Sequence, residues 1–116
     1  MTKTNVLIDW DHLEKYVVGD DALRDEILTI FVEQAGKLVA QFDAAQTDEG
    51  WKTTAHTLKG AARGVGAWDL GALCEEAEDV IGGVPGKRET RSALLISIRR
   101  KLNATIGAAK ELRDCA

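Results

Sequence analysis

The feature that most constrains this chain is a stripe of apolar side chains spaced alternately four and three residues apart: Trp51, Ala55, Leu58, Ala62 and Val65. At about 3.6 residues per turn such a series stays on one side of an α-helix. It does not fit a strand, whose inward side chains recur every second residue. The same period runs through the rest of the sequence, no alternating run bounded by turns competes with it, and Pro85 is the one proline. The chain therefore reads as all-α.

Five helices are expected. A short first helix starts after Asp9, whose carboxylate can take unpaired backbone N–H groups, and runs to Gly19 with Trp10, Leu13 and Val17 inward. Asp20 caps a second helix that reaches about Gln46, its inner side formed by Leu23, Ile27, Ile30, Phe31, Leu38 and Phe42. After the turn at Thr47-Asp48-Glu49-Gly50, with Asp48 as the next cap, the third helix covers about Glu49 to Val65. The fourth begins near Trp68 or Asp69 and buries Leu70, Leu73, Cys74, Ala77, Val80 and Ile81, until Gly82-Gly83-Val84-Pro85-Gly86 stops it. The fifth, from about Glu89 to Leu112, presents Leu95, Ile98, Leu102, Ile106 and Ala109. Amphipathic helices joined by short turns pack as antiparallel neighbours. Helices two to five thus predict an up-down-up-down four-helix bundle, with the first helix laid across one end. At 116 residues the chain supports one core, hence a single domain over 1–116.

Several function classes drop out. Fifteen basic against nineteen acidic residues leave a net charge of -4, so there is no basic surface to displace counterions from nucleic acid. The apolar run Val6-Leu7-Ile8 is too short for the core of a secretory signal, and a cytoplasmic location is expected. Cys74 reads as a small buried hydrophobe and Cys115 as a tail thiol; with His12 and His56 they show no zinc-ligand spacing, so no metal is expected. His12 reads as a capping or surface residue. Asn103-Ala104-Thr105 fits a glycosylation pattern but falls in a helical stretch of a chain expected to be unsecreted. Gly60-x-x-x-Gly64 matches a membrane packing motif, yet Lys59 and Arg63 flank it, so no membrane partner is expected.

The chemistry concentrates on the third helix. With Leu58 as the zero of a helical wheel at roughly 100° per residue, the apolar stripe falls within about 60°. His56, Gly60 and Arg63 lie near roughly 160°, 200° and 140°, and Lys59 near roughly 100°. His56 therefore faces solvent in mid-helix, with cations one and two turns along at Lys59 and Arg63. Gly60 and Gly64 strip side-chain bulk from the same face, at a cost of about 1 kcal/mol each relative to alanine. Close approach of another surface would compensate. A neutral imidazole nitrogen is a nucleophile near pH 7, and a phosphoryl group on it would sit within reach of an ammonium one turn away. Trp68, just beyond the helix end, is either core packing or part of the docking patch with Gly60, Arg63 and Gly64. Glu75, Glu76, Glu78 and Asp79 read as a solvated acidic face that can also steer a partner.

The run His56-x-Leu58-Lys59-Gly60-Ala61-Ala62-x-x-x-Gly66-Ala67-x-x-Leu70-x-x-x-Cys74-x-x-x-Glu78 resembles the signature of the histidine-containing phosphotransfer (HPt) domain. The Ile8-Asp9 opening, the Gly19-Asp20-x-x-Leu23 helix start and the acidic turn before Trp51 are similar to that family's layout, so the resemblance spans nearly the whole chain. It implies a helical bundle in which His56 accepts a phosphoryl group from an aspartyl phosphate on the receiver domain of a hybrid histidine kinase and passes it to a response regulator. It further implies that Lys59 steadies phosphate oxygens and that Gly60 leaves room for the docked receiver. No cofactor is implied on this chain, since the receiver brings Mg²⁺ and a lysine. Ala77 departs from the family's leucine, which predicts a smaller core there, and Arg63 and Gly64 occupy variable positions. Gly86-Lys87 is preceded five residues earlier by Ile81 and followed by Arg88, so the phosphate-cradling loop of an ATP site is missing. The expectation is a monomeric carrier, not a kinase. The competing reading is a helical adaptor that docks a receiver and blocks it without phosphorylation.

Overall fold

Side-chain oxygens that accept unpaired backbone N–H groups set where the first three helices begin. The computed structural model describes residues 7–114, and the thiol expected at Cys115 lies outside them. The helices are α1 (Trp10–Val17), α2 (Asp21–Gln41), α3 (Asp48–Gly64), α4 (Trp68–Glu78) and α5 (Lys87–Asp114). Asp9 accepts from the His12 N–H at 3.2 Å and Asp20 from the Leu23 N–H at 3.0 Å, the two caps expected. The third cap is Thr47, whose Oγ1 accepts from Gly50 N–H at 3.1 Å, and not Asp48. Asp48 reaches across the fold instead, accepting from Gly82 N–H at 2.9 Å, Lys87 Nζ at 3.0 Å and the Arg91 guanidinium at 2.7 Å.

The helix ends differ from expectation for local reasons. α1 stops at Val17 because Val18, not Gly19, first turns left-handed, with φ 46°. A β-branched residue there costs about 1–2 kcal/mol. Its side chain, 80% exposed, recovers little of that by packing. Val18→Asn is expected to stabilise the domain by about 0.5–1 kcal/mol and raise its melting temperature by a few degrees; an unchanged or lower value would reveal a packing role for the valine. α2 ends at Gln41, not Gln46. Phe42 adopts extended backbone that drives its ring inward, and Asp43 then starts a turn by accepting from Ala45 N–H at 2.8 Å. α4 closes at Glu78 rather than Ile81, although Val80 remains buried.

The main helix contacts run round a ring, α2 to α3 to α4 to α5 and back to α2, with α1 against α2. This is the antiparallel four-helix bundle with an added short helix. Trp51, Phe42, Leu58, Leu70, Cys74, Ile98 and Leu102 fill its centre, and the whole α3 stripe is buried. In α2 the buried series is Arg24, Leu28, Phe31 and Ala35, so Leu23 and Ile30, expected inside, are 37% and 53% exposed. Turning α2 to bury them would bring Leu28, Phe31 and Ala35 into water. Arg24 tolerates its inward position because its guanidinium lies 5.7 Å from the Trp10 ring centre and pairs with Asp21 and Asp25 at 3.4 and 3.0 Å.

The Trp51 indole N–H donates to the Ala77 carbonyl at 2.6 Å, and its ring lies between Phe42, 4.5 Å away, and the Arg91 guanidinium, 4.7 Å away. Thr105 of the Asn103-Ala104-Thr105 run is fully buried inside α5, while Asn103 itself is exposed. Among the described residues no helix is long and apolar enough to cross a membrane.

Candidate functional site

Burying the α3 stripe carries positions 56, 60 and 64 to the opposite side of the helix. The His56 side chain is 71% exposed, as the wheel requires. Lys59 is not. Its side chain is only 14% exposed because its long stem lies back over α4, where Nζ is 2.7 Å from Glu78 Oε1. Glu78, expected on a solvated acidic face, is equally enclosed at 14%. The same oxygen is 3.3 Å from His56 Nδ1, so Glu78 joins the imidazole to the ammonium. Oε1 is sealed from solvent, so Lys59 and His56, rather than water, compensate its charge. With Nδ1 turned to a carboxylate, the tautomer assigned to His56 carries its proton on Nδ1 and its lone pair on Nε2.

Burial pushes the Glu78 carboxyl up, but the Lys59 ammonium and, more weakly, His56 outweigh it and hold the group below its ordinary value of 4.5. A carboxyl lowered on folding stabilises the native state above its unfolded pKa, and that contribution disappears as the pH falls through the folded value. The pair's contribution is therefore present at neutral pH and lost progressively below about 4.5. Lys59→Ala leaves an enclosed carboxylate without its cation and is expected to cost about 1–3 kcal/mol at pH 7. The deficit shrinks as the pH is taken below 4.5, read by urea unfolding at a series of pH values. Equal stability of the two proteins at pH 7 would show that the pair contributes nothing. Beneath the pair, burial first and the Glu78 charge second push the Cys74 thiol up to about 12, so it is inert.

Gly60 and Gly64 are both exposed, and a Cβ at either would meet nothing within 4 Å. With Ala61 and Val65 they form one wall of a shallow groove of about 170 Å³, whose other wall is Ile27, Ile30, Phe31 and Gln34 of α2. The exposed Ile30 that fails to enter the core is thus part of this groove. Arg63 does not line it. Its stem crosses α4 over Gly71, where a Cβ would lie 3.2 Å from Arg63 Cγ, and its guanidinium pairs with Glu75 at 3.2 Å. Trp68 also stands apart from the groove: it is 44% exposed, its indole N–H donates to Asp9 Oδ2 at 2.9 Å, and His12 packs edge-on against its ring at 4.7 Å. That bond, together with the His12 N–H, holds the Asp9 carboxyl below its ordinary value. Asp9 is also joined to the α3–α4 turn, donating its own N–H to the Gly66 carbonyl at 2.9 Å. Gly66 has φ 76°, and a Cβ there would come within 2.9 Å of Asp9 Cβ, so this contact requires glycine.

A family model for the Hpt domain matches residues 26–113. The chain belongs to the Hpt domain family. Hpt domains are histidine phosphotransfer carriers of phosphorelays, not kinases, and they work with receiver domains. No curated protein and no solved structure matches the chain. The matched span of this Hpt domain opens inside α2, so α1 precedes it. Among the described residues no group of three His, Cys, Asp or Glu side chains could hold a metal ion. The residue that sequence reasoning misplaced is Glu78. Its signal was available in the spacing Leu70-x-x-x-Cys74-x-x-x-Glu78, which continues the inner side of α4 and separates it from the other acids around it.

Proposed function

We propose that His56 accepts a phosphoryl group from the aspartyl phosphate of a hybrid histidine kinase's receiver domain and passes it to the aspartate of a response regulator. One observation carries this reading: an imidazole 71% exposed in mid-helix, its Nδ1 turned to Glu78, beside two glycines whose bareness serves no contact within the fold. Nε2 attacks phosphorus in line with the departing carboxylate, and the surrounding geometry supplies position and charge. Lys59, one turn from His56, needs only to swing its stem from Glu78 to reach phosphate oxygens. Gly60 and Gly64 let the receiver's backbone approach, and the groove beside them takes an apolar side chain from its docking face. Arg63 and Trp68 stand outside this groove, Arg63 on the α4 side. The receiver supplies Mg²⁺ and a lysine to neutralise charge. The domain acts as a cytoplasmic monomer.

Incubation with a panel of purified phosphorylated receivers tests this. The expected label is acid-labile and base-stable, as befits an N–P bond, and maps to His56. Acid-stable label, or none from any receiver that binds, would support the adaptor reading instead.

A further inference from the structure

The net charge of -4 conceals a separation of sign. Eight of the fifteen basic residues fall within α5, against three of the nineteen acidic ones. Along this helix Arg88, Arg99 and Lys110 recur every eleven residues, close to three full turns, so they share one side and stand about 16 Å apart. All three are exposed. Lys87 and Arg91 find a carboxylate in Asp48, but this row is left unmatched among the described residues. Arg99 donates to the Phe42 carbonyl at 3.3 Å, which leans it toward α2 without neutralising it. Glu89 and Glu111 of the same helix lie roughly 80–120° round from the row.

Two further features mark this side as a place of contact. Ile96 is 53% exposed between Arg88 and Arg99. Gly107, between Arg99 and Lys110, is exposed in mid-helix, and a Cβ there would meet nothing within 4 Å. Gly36 on α2 is equally bare. Bonds from Arg99 to Phe42 and from Arg113 to Thr29 lay α2 antiparallel beside α5, which sets Gly36 about level with Gly107. Glycine weakens a helix relative to alanine, and nothing within the fold offsets that at either position.

We infer that the α2–α5 side is a docking track for an acidic amphipathic helix of a partner protein, whose carboxylates recur every three turns to meet Arg88, Arg99 and Lys110. An apolar residue of that helix covers Ile96, and its backbone comes close over Gly36 and Gly107. The spacing favours this occupant over other polyanions. A DNA duplex bears a charge about every 1.7 Å and would leave most of its phosphates unmatched by cations about 16 Å apart. An anionic bilayer calls for a compact cluster of about four to eight cations, whereas these three are spread over about 33 Å. The track goes beyond the carrier reading and does not need it. α3 and α5 stand across the ring of helices from one another, so a receiver over His56 and a helix over this row do not exclude each other.

The test uses the full chain and, as probe, a fluorescein-labelled alanine-based helix of about 26 residues with glutamates at every eleventh position, read by fluorescence anisotropy. Binding should weaken about tenfold between about 50 and 300 mM NaCl. It should weaken about tenfold or more in the Arg88→Glu, Lys110→Glu double variant, whose melting temperature stays at the wild-type value. Gly107→Leu should weaken it comparably while leaving the domain at least as stable, because only a closely approaching partner meets the added bulk. In ¹⁵N NMR the amide signals of Gly36 and of α5 from Arg88 to Lys110 should shift on binding, while those of His56, Gly60 and Gly64 hold still. A glutamine version of the probe that binds equally well, or an affinity indifferent to salt, would overturn the inference. So would tighter binding of a DNA duplex, or of vesicles of phosphatidylserine and phosphatidylcholine in equal parts, than of the probe. Self-association in sedimentation that the double variant abolishes would give the track to a second copy of this chain and equally overturn it.

Discussion

Replacing His56 with glutamine abolishes phosphoryl uptake altogether, while receiver binding and melting temperature stay at wild-type values. The imidazole is 71% exposed and contributes nothing to the core, so its removal should change stability by no more than about 0.5 kcal/mol. Glutamine retains length and hydrogen-bonding capacity but has no nitrogen lone pair able to attack phosphorus. The neighbouring side chains cannot substitute: Lys59 is held in its pair with Glu78, and the buried Cys74 thiol is pushed up to about 12. Acid-labile label and titration calorimetry with the same receiver give the two readouts. Residual label would place the phosphoryl group elsewhere. Unchanged signalling output in cells carrying the variant would favour steric blockade over carriage.

The second large effect concerns stability. Arg91→Ala should cost about 3–5 kcal/mol, a large share of the roughly 5–15 kcal/mol that holds a small domain folded. Arg91 is 2% exposed, and its guanidinium donates to the carbonyls of Val80, Ala44 and Gln46 at 2.9, 3.3 and 2.8 Å and to Asp48 at 2.7 Å. It also covers one face of the Trp51 ring. A single side chain thus joins α5 to the turn before α3 and to the end of α4. Truncation leaves three carbonyls with one donor fewer and opens a void against the indole. Arg91→Lys should recover only part of the loss, since an ammonium cannot divide itself among acceptors spread along a planar fork. Urea unfolding near pH 7 measures both, and an alanine variant within about 1 kcal/mol of wild type would refute the assignment.

Periodicity made most of this architecture legible. The α3 stripe is buried as spaced, and outward placement of His56, Gly60 and Gly64 follows from it. Where the reading failed, the cause was particular. In α2, apolar residues occupy two neighbouring stripes, and spacing cannot say which of them the bundle takes; the loser, with Ile30, became a wall of the groove. A helical wheel fixes the direction of Cβ but not where a long side chain finally lies, which is why Lys59 is enclosed against α4 despite its outward position. Glu78 was masked by the acids around it. Arg91 carries no local signal at all, because its acceptors come from segments that only folding brings together. The early ends of α1 and α2 depend on single residues, Val18 and Phe42, adopting backbone conformations that propensity does not reveal.

At positions 60 and 64 the folded monomer is indifferent to an added methyl group, and helix propensity even favours alanine there. Any pressure that maintains glycine at these sites is thus exerted by visitors, never by the tenant. Two residues on which folding imposes no demand become the place where the history of this domain's encounters would be preserved, separable from every constraint that merely keeps it standing.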